Sequence, residues 1–257
     1  MGEHGTWFDY LNRFSWWHDA NRSLEHALGR KSLTGMFPTG WTTAHVFVAF
    51  LVFIIVTMGA ISFFRGTRSK DKGFVPPAKM NLRNSFEYLA EMLYGTVEAA
   101  LGPKNAVRFY PLVGALWLFI FFGNLFALIP GFVSSNDTLK TNVGLALLVF
   151  FATHIVGVKE HGLSYFKHFF GPVWWLAWLM FPIELISHIA RPVSLSLRLM
   201  GNMLADHKVV MSFFALVPLL VPLPFLLLGL LVCVIQALVF CSLTLVYLGM
   251  ALEHEEH

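Results

Sequence analysis

"AHVFVAFLVFIIVTMGAISFF", residues 44–64, carries no ionised side chain over 21 residues. A helix rises 1.5 Å per residue, so about 20 apolar residues cover the roughly 30 Å hydrocarbon core of a bilayer. The stretch reads as a membrane span. Composition points the same way: 56% of residues are hydrophobic and 13% are charged. That charged share is about half of what soluble domains carry. The expected class is an all-α membrane protein. A net charge of +3 is too small to suggest a nucleic-acid partner, so the positions of the charges matter more than their sum.

The span stops at "RGTRSKDK". Residues 65–108 hold Arg65, Arg68, Lys70, Lys72, Lys79, Arg83, Lys104 and Arg108, the most basic loop of the chain. Basic loops stay in the cytoplasm, which places the N-terminus outside. Residues 1–43 then form an extracytoplasmic segment. There Trp7, Phe8, Phe14, Trp16 and Trp17 mix with Asp9, Arg13, Asp19 and Arg22, a pattern of an interfacial segment rather than a cleavable signal. Inside the basic loop, Leu82, Phe86, Leu89, Leu93, Val97 and Ala100 recur at steps of three and four, with Glu87, Glu91 and Glu98 on the other side. This predicts an amphipathic helix over 82–101, lying on the membrane surface.

Further spans are expected at 110–129, 139–158, 173–217 and 225–252, giving about five membrane helices in a polytopic domain over 44–257. Pro130-Gly131 ends the second. The last two are too long for a perpendicular crossing and must tilt strongly, kink or project. "VPLLVPLP", 217–224, supplies the turn between them, and the tail "EHEEH" falls in the cytoplasm. Cys233 and Cys241 sit in an apolar run with no metal-ligand spacing and read as small core residues. No metal or cofactor is expected, and no internal repeat of the transporter kind is visible.

The rare polar residues of the fourth span fall into a pattern. Glu184, Arg191 and Arg198 are spaced by seven, which returns a helix to within roughly 20° of one azimuth. His188, Asn202 and Asp206 join the same stripe, while His207 falls roughly opposite Arg198. Arg191, near a helix end, reads equally as a side chain that snorkels to the interface. Glu184 is harder to dismiss, because intramembrane carboxylates line cavities or ion paths. Arg198 is hardest. A guanidinium does not deprotonate, and at a bilayer centre it costs roughly 2.5–3.5 kcal/mol on insertion scales. No acidic residue stands one turn away. A carboxylate from another chain is the natural partner; at 4 Å and an effective dielectric of 20 the pair gains about 4 kcal/mol. Such a charge would drive proton or ion release from an approaching carboxyl group.

Three stretches resemble one family. "SLSLRLMGNM" (194–203), "FFGNLFALIPG" (121–131) and "IQALVFCSLTLVYLGMALEHEEH" (235–257) are similar to the membrane a subunit of bacterial rotary (F-type) ATP synthases. The likeness covers nearly all of the chain from about Val46. It implies a stator subunit in the bacterial inner membrane, beside a ring of c subunits and b-type peripheral stalk subunits. Two offset half-channels would lead to the c-ring carboxylates, with Arg198 as the separating charge. No ATP-hydrolysing site is expected in this chain. The resemblance makes Asn202 and Gln236 polar partners of Arg198. It matches Glu184 to the family's acidic position and His207 to a position lining the outer half-channel. Glu184 and His188 suit the inner one. At Gly229, seven before Gln236, many relatives carry His or Glu. Its loss leaves Asp206, Asn124 or water to serve the outer path.

Two other readings account for some of these residues. A secondary transporter or ion channel with its own pore would also use a buried Glu184 and Arg198, and would conduct as an isolated chain. An intramembrane redox enzyme would use His45, His154, His188 and His207 as ligands, but their spacing is not distinctive.

Overall fold

The computed structural model describes residues 15–28, 43–67, 82–129, 132, 134–162, 177–216 and 222–252. These residues form six helices and no strand. They are α1 (Ser15–Leu28), α2 (Thr43–Thr67), α3 (Leu82–Ala127), α4 (Leu139–His161), α5 (Ala177–Leu216) and α6 (Pro222–Leu252). Residues 1–14, the Pro130-Gly131 stop, the start of the fourth span at 173–176, most of the 217–224 turn and the 253–257 tail lie outside the described residues.

Among the described residues, four helical stretches are long and apolar enough to cross a membrane: Ala44–Ile61, Asn84–Ala127, Leu139–His161 and Leu223–Leu252. The α5 helix is not among them, because Glu184, Arg191, Arg198, Asp206 and Lys208 interrupt its apolar runs. Yet it is 40 residues long, roughly 60 Å. The bundle leaves Phe53, Met58, Phe151, Ile186 and Leu227 exposed. In water these would be a liability; in a bilayer they face lipid.

The chain divides into two compact units. The first holds residues up to Ser135 together with Leu226–Cys241. Its core begins with Trp17 of α1, which joins Ala44, Val48 and Val52 of α2 and the half-buried Phe119, Phe122 and Phe126 of α3. The α3 helix is broken at Gly102, whose φ of 76° belongs to the left-handed region that a Cβ disfavours. Pro103 follows at once and starts the next helical segment with its φ already set. Across this break the chain folds back on itself. The Tyr110 hydroxyl donates to the Ala90 carbonyl at 3.2 Å, the Tyr94 and Tyr110 rings meet edge to face at 5.6 Å, and Phe86 stacks on Phe122 at 6.2 Å. The segment expected on the membrane surface is thus the first arm of a hairpin. Gly59 of α2 lets the Phe86 ring approach so closely that a Cβ there would overlap it. Cys241 reaches the Val113 carbonyl at 3.6 Å, a core contact within this unit.

The second unit spans Asn136–Phe225 and Ser242–His257, of which Asn136–His161, α5 and the last turns of α6 carry its packing. A short polar turn opens it: Asn142 donates to the Asn136 carbonyl at 2.8 Å, and the Thr138 and Thr141 hydroxyls pair at 2.8 Å. These bonds satisfy the buried Asn136 carbonyl, the Asn142 side-chain amide nitrogen and the Thr138 hydroxyl. The α4 helix ends at Gly162, where φ is 60° and the amide closes on the Val158 carbonyl at 2.8 Å. Lys159 and His161 occupy its last turn, favourable to the helix dipole. His161 Nε2 contacts the Ala251 carbonyl at 3.1 Å and ties the ends of α4 and α6 together. Pro182 and Pro192 each remove an N–H from the α5 ladder, yet the helix runs through both.

Candidate functional site

The site is carried by α5, because that helix holds most of the polar residues singled out in the sequence. Its first half is a cluster. Glu184 and His188 stand one turn apart, and Oε1 of the carboxylate lies 3.2 Å from Nε2 of the imidazole. Helical spacing of four puts these side chains on one face, where an acid and a base one turn apart meet. Both are largely withdrawn: their side chains are 28% and 10% exposed, respectively. The α4 helix adds His154, whose ring meets that of His188 edge to face at 5.3 Å. Arg191, one turn on, lies over the Tyr247 ring of α6, its guanidinium carbon 5.1 Å from the centroid. It is half-buried on an aromatic face, as weakly hydrated guanidinium groups favour. His154, His188, Arg191 and Tyr247 line a cavity of about 10 Å³, into which Thr153, Pro192 and Leu195 also face.

The middle of α5 is different. Arg198 and Asn202 are exposed. Arg198 forms no ion pair among the described residues. Beside it, Ser187, Ala190, Ser194, Gly201 and Ala205 are also exposed. On a helical wheel these five lie within roughly 80° of Arg198, all on one side of it, while Glu184, His188, Arg191 and Asn202 lie on the other. Arg198 therefore marks the border between a polar stripe and a strip of small residues. A Cβ added at Gly201 would meet nothing within 4 Å. Small residues on a membrane helix let another helix come close. The strip leaves room for close approach along the Arg198 face.

Asp206 is half-buried on the same helix. His207 lies in α5, but its side chain is outside the described residues. Asn124 and Gln236 belong to the first unit, where both are buried, and Gly229 is buried there too. So the structure gathers Glu184 and His188 into one cluster and leaves Arg198 and Asn202 on the surface of the same helix. Two residues of the cluster escaped the sequence reading. Tyr247 gave no signal in its apolar run, and His154 drew notice only as a conceivable redox ligand. Among the described residues, no group of three or more His, Cys, Asp or Glu side chains is placed to hold a metal ion.

Comparisons with known proteins identify the family. The family model described as "ATP synthase A chain" matches residues 33–249. "ATP synthase subunit a 1" of Syntrophotalea carbinolica is 46% identical over 230 residues, covering 90% of this chain and 94% of that protein. "ATP synthase subunit a" of Sorangium cellulosum is 41% identical over 215 residues, 84% of each chain. The protein of the same description in Geobacter sulfurreducens is 48% identical over 172 residues, 67% of this chain and 75% of its own length. A match over most of the chain, at such identity and with the Arg198 motif inside it, settles the kinship: the chain belongs to the ATP synthase A chain family.

Proposed function

We propose that this chain is the ion-translocating stator subunit of a rotary ATP synthase, with Arg198 as the charge that separates two half-channels. The observation that carries this reading is Arg198 itself: a permanent cation on an exposed helix face, without an ion pair among the described residues, bordered by small side chains. A lone guanidinium in an apolar setting is costly unless a carboxylate comes to it. Membership of the family implies partners in the membrane sector. The finer assignment is a c-subunit ring whose carboxylates pass Arg198 in turn, with b-type stalk subunits holding the stator still. Ser187, Ala190, Ser194, Gly201 and Ala205 would let a ring helix approach within reach of the guanidinium.

Glu184 and His188 line the half-channel on the cytoplasmic side, and Asp206 and His207 the one outside. Asn202 and Gln236 act as polar partners of the arginine, and Asn124 as an outer-path residue. The side assignment of the two half-channels is supported by the basic residues of 65–108, which favour an N-terminus outside and a C-terminus in the cytoplasm of a multi-pass inner-membrane protein. A continuous water path from Glu184 to His207 would dissipate about 2.3 kcal/mol per proton for each 100 mV. The arginine prevents that. It repels protons in transit and releases each carboxylate only when the ring moves on.

The test is Arg198→Ala in the assembled complex. ATP-driven proton pumping in inverted vesicles should vanish while subunit composition stays normal. Pumping at a near-normal rate would end the proposal. Cysteines scanned along the Arg198 face should also crosslink to one beside the ring carboxylate, and a scan without a single crosslink would remove the ring from that face.

A further inference from the structure

The α4 helix brings a second imidazole to the Glu184–His188 pair. The His154 and His188 rings meet at 5.3 Å between centroids and 69° between planes. His154 is held in place by its own helix: Nδ1 lies 2.8 Å from the Phe150 carbonyl oxygen, and the Phe150 ring centroid is 4.1 Å away. A carbonyl only accepts, so Nδ1 carries the hydrogen and Nε2 is the basic nitrogen. Both histidines face the cavity of about 10 Å³, close to the room one water requires. The other ionisable side chains lining it are Arg191 from α5 and Tyr247 from α6, and Glu184 of α5 joins through its contact with His188.

We propose that His154 is a proton-relay residue, passing protons between cytoplasmic water and the Glu184–His188 pair. The inference rests on the reading of that pair as part of the cytoplasmic half-channel. In the inward-to-ring direction a hydronium gives its proton to Nε2 of His154 and becomes water. The imidazolium then protonates His188, across a water in the cavity, and returns to its neutral form. His188 passes the proton to the Glu184 carboxylate 3.2 Å away and is neutral again. Each transfer moves one proton and restores the donor, and the reverse order serves ATP synthesis. Arg191 keeps the relay moving. Its fixed positive charge makes an imidazolium beside it a poor resting place, while the Glu184 carboxylate draws the proton onward.

The experiment uses complexes carrying His154→Ala and His154→Gln, assayed by ATP-driven pumping in inverted vesicles, with subunit composition measured alongside. The Gln side chain still donates to the Phe150 carbonyl but cannot carry a proton, so it preserves the packing and removes the relay. Both variants should pump at least about tenfold slower, a floor set below the roughly 10²–10⁴-fold that a positioned proton donor contributes to a chemical step. Added imidazole should restore the Ala variant, which leaves space for it, and not the Gln variant, which fills that space. Normal pumping by His154→Gln would overturn the relay, and so would a slowed His154→Ala complex that imidazole fails to restore, since that marks a structural role. Pumping that survives Arg198→Ala would instead strike the stator reading itself, so the two failures are distinct.

Discussion

Arg191 and Arg198 stand seven residues apart on α5, at azimuths that differ by roughly 20°. In sequence they look alike. In the structure one guanidinium lies half-buried over the Tyr247 ring, and the other is exposed without an ion pair among the described residues. The difference is made by what packs beside each turn. Around Arg191, α4 and α6 supply His154 and Tyr247, so the charge is neighboured within the chain. Around Arg198 the flanking side chains are small and outward-facing. A cation with internal company contributes to structure and to the local field. A cation without it is available to a visitor. On the proposed reading, function in this helix is marked less by having a charge than by leaving it unaccompanied.

The harshest challenge to that contrast is Arg198→Lys. It keeps the positive charge but replaces a planar fork by a flexible, strongly hydrated point charge that can lose its proton when desolvated. Coupled ATP synthesis should fall to background, in complexes of normal composition. A lysine that supports synthesis would show that any cation suffices and that the exposed fork has no special part.

Gly201→Leu tests the small-residue border. The chain itself should tolerate the change, because a Cβ at Gly201 meets nothing within 4 Å and leucine is the better helix former. The complex should not, since the side chain stands where a ring helix would approach. Pumping should drop by more than about tenfold, equivalent to roughly 1.4 kcal/mol or more of barrier, and the c ring should be lost more readily in detergent. Unchanged pumping would place the ring contact elsewhere.

Much of this was legible in the sequence, for reasons that can be named. An uncharged run of membrane length has one physical use, so the all-helical membrane class follows from residues 44–64 and the composition. A permanent charge in an apolar helix has few explanations, so Arg198 stood out. What stayed hidden depends on long-range packing. The periodicity of 82–101 shows that one face is apolar, but not whether lipid or protein covers it; Tyr110, Phe122 and Gly102 decide that, through a hairpin closed by contacts 16 to 36 residues apart. His154 was just as opaque. One histidine in α4 has no visible link to one in α5, 34 positions later, until the helices pack. Arg191 is left open in sequence for the same reason: nearness to a helix end suggests escape to water as readily as burial, and only the tertiary structure reveals Tyr247.

Arg191→Gln brings the contrast down to a milder scale. It should slow pumping by less than about threefold, because the side chain helps shape the field around His188 without meeting the ring carboxylate. A total loss, as severe as at Arg198, would erase the distinction between the two arginines.

The finest test leaves both arginines in place and changes the ring beneath one of them. Tyr247→Phe keeps the aromatic face and its negative quadrupole, so the contact at 5.1 Å survives. Tyr247→Leu keeps an apolar side chain of useful size but removes the quadrupole, at a cost of about 0.5–2 kcal/mol for a partly desolvated cation–π contact. Heating detergent-solubilised complexes and following release of this chain should therefore separate the two: Phe like the parent, Leu released at lower temperature. Repeating both in an Arg191→Gln background should abolish the difference, because there is no cation left to feel the ring. If Leu remains weaker than Phe without Arg191, the effect is lost packing alone, and Arg191 is then held by burial rather than by Tyr247. Within each background the Phe and Leu complexes should pump alike, and between backgrounds the rates should differ by less than about threefold, as expected for Arg191→Gln.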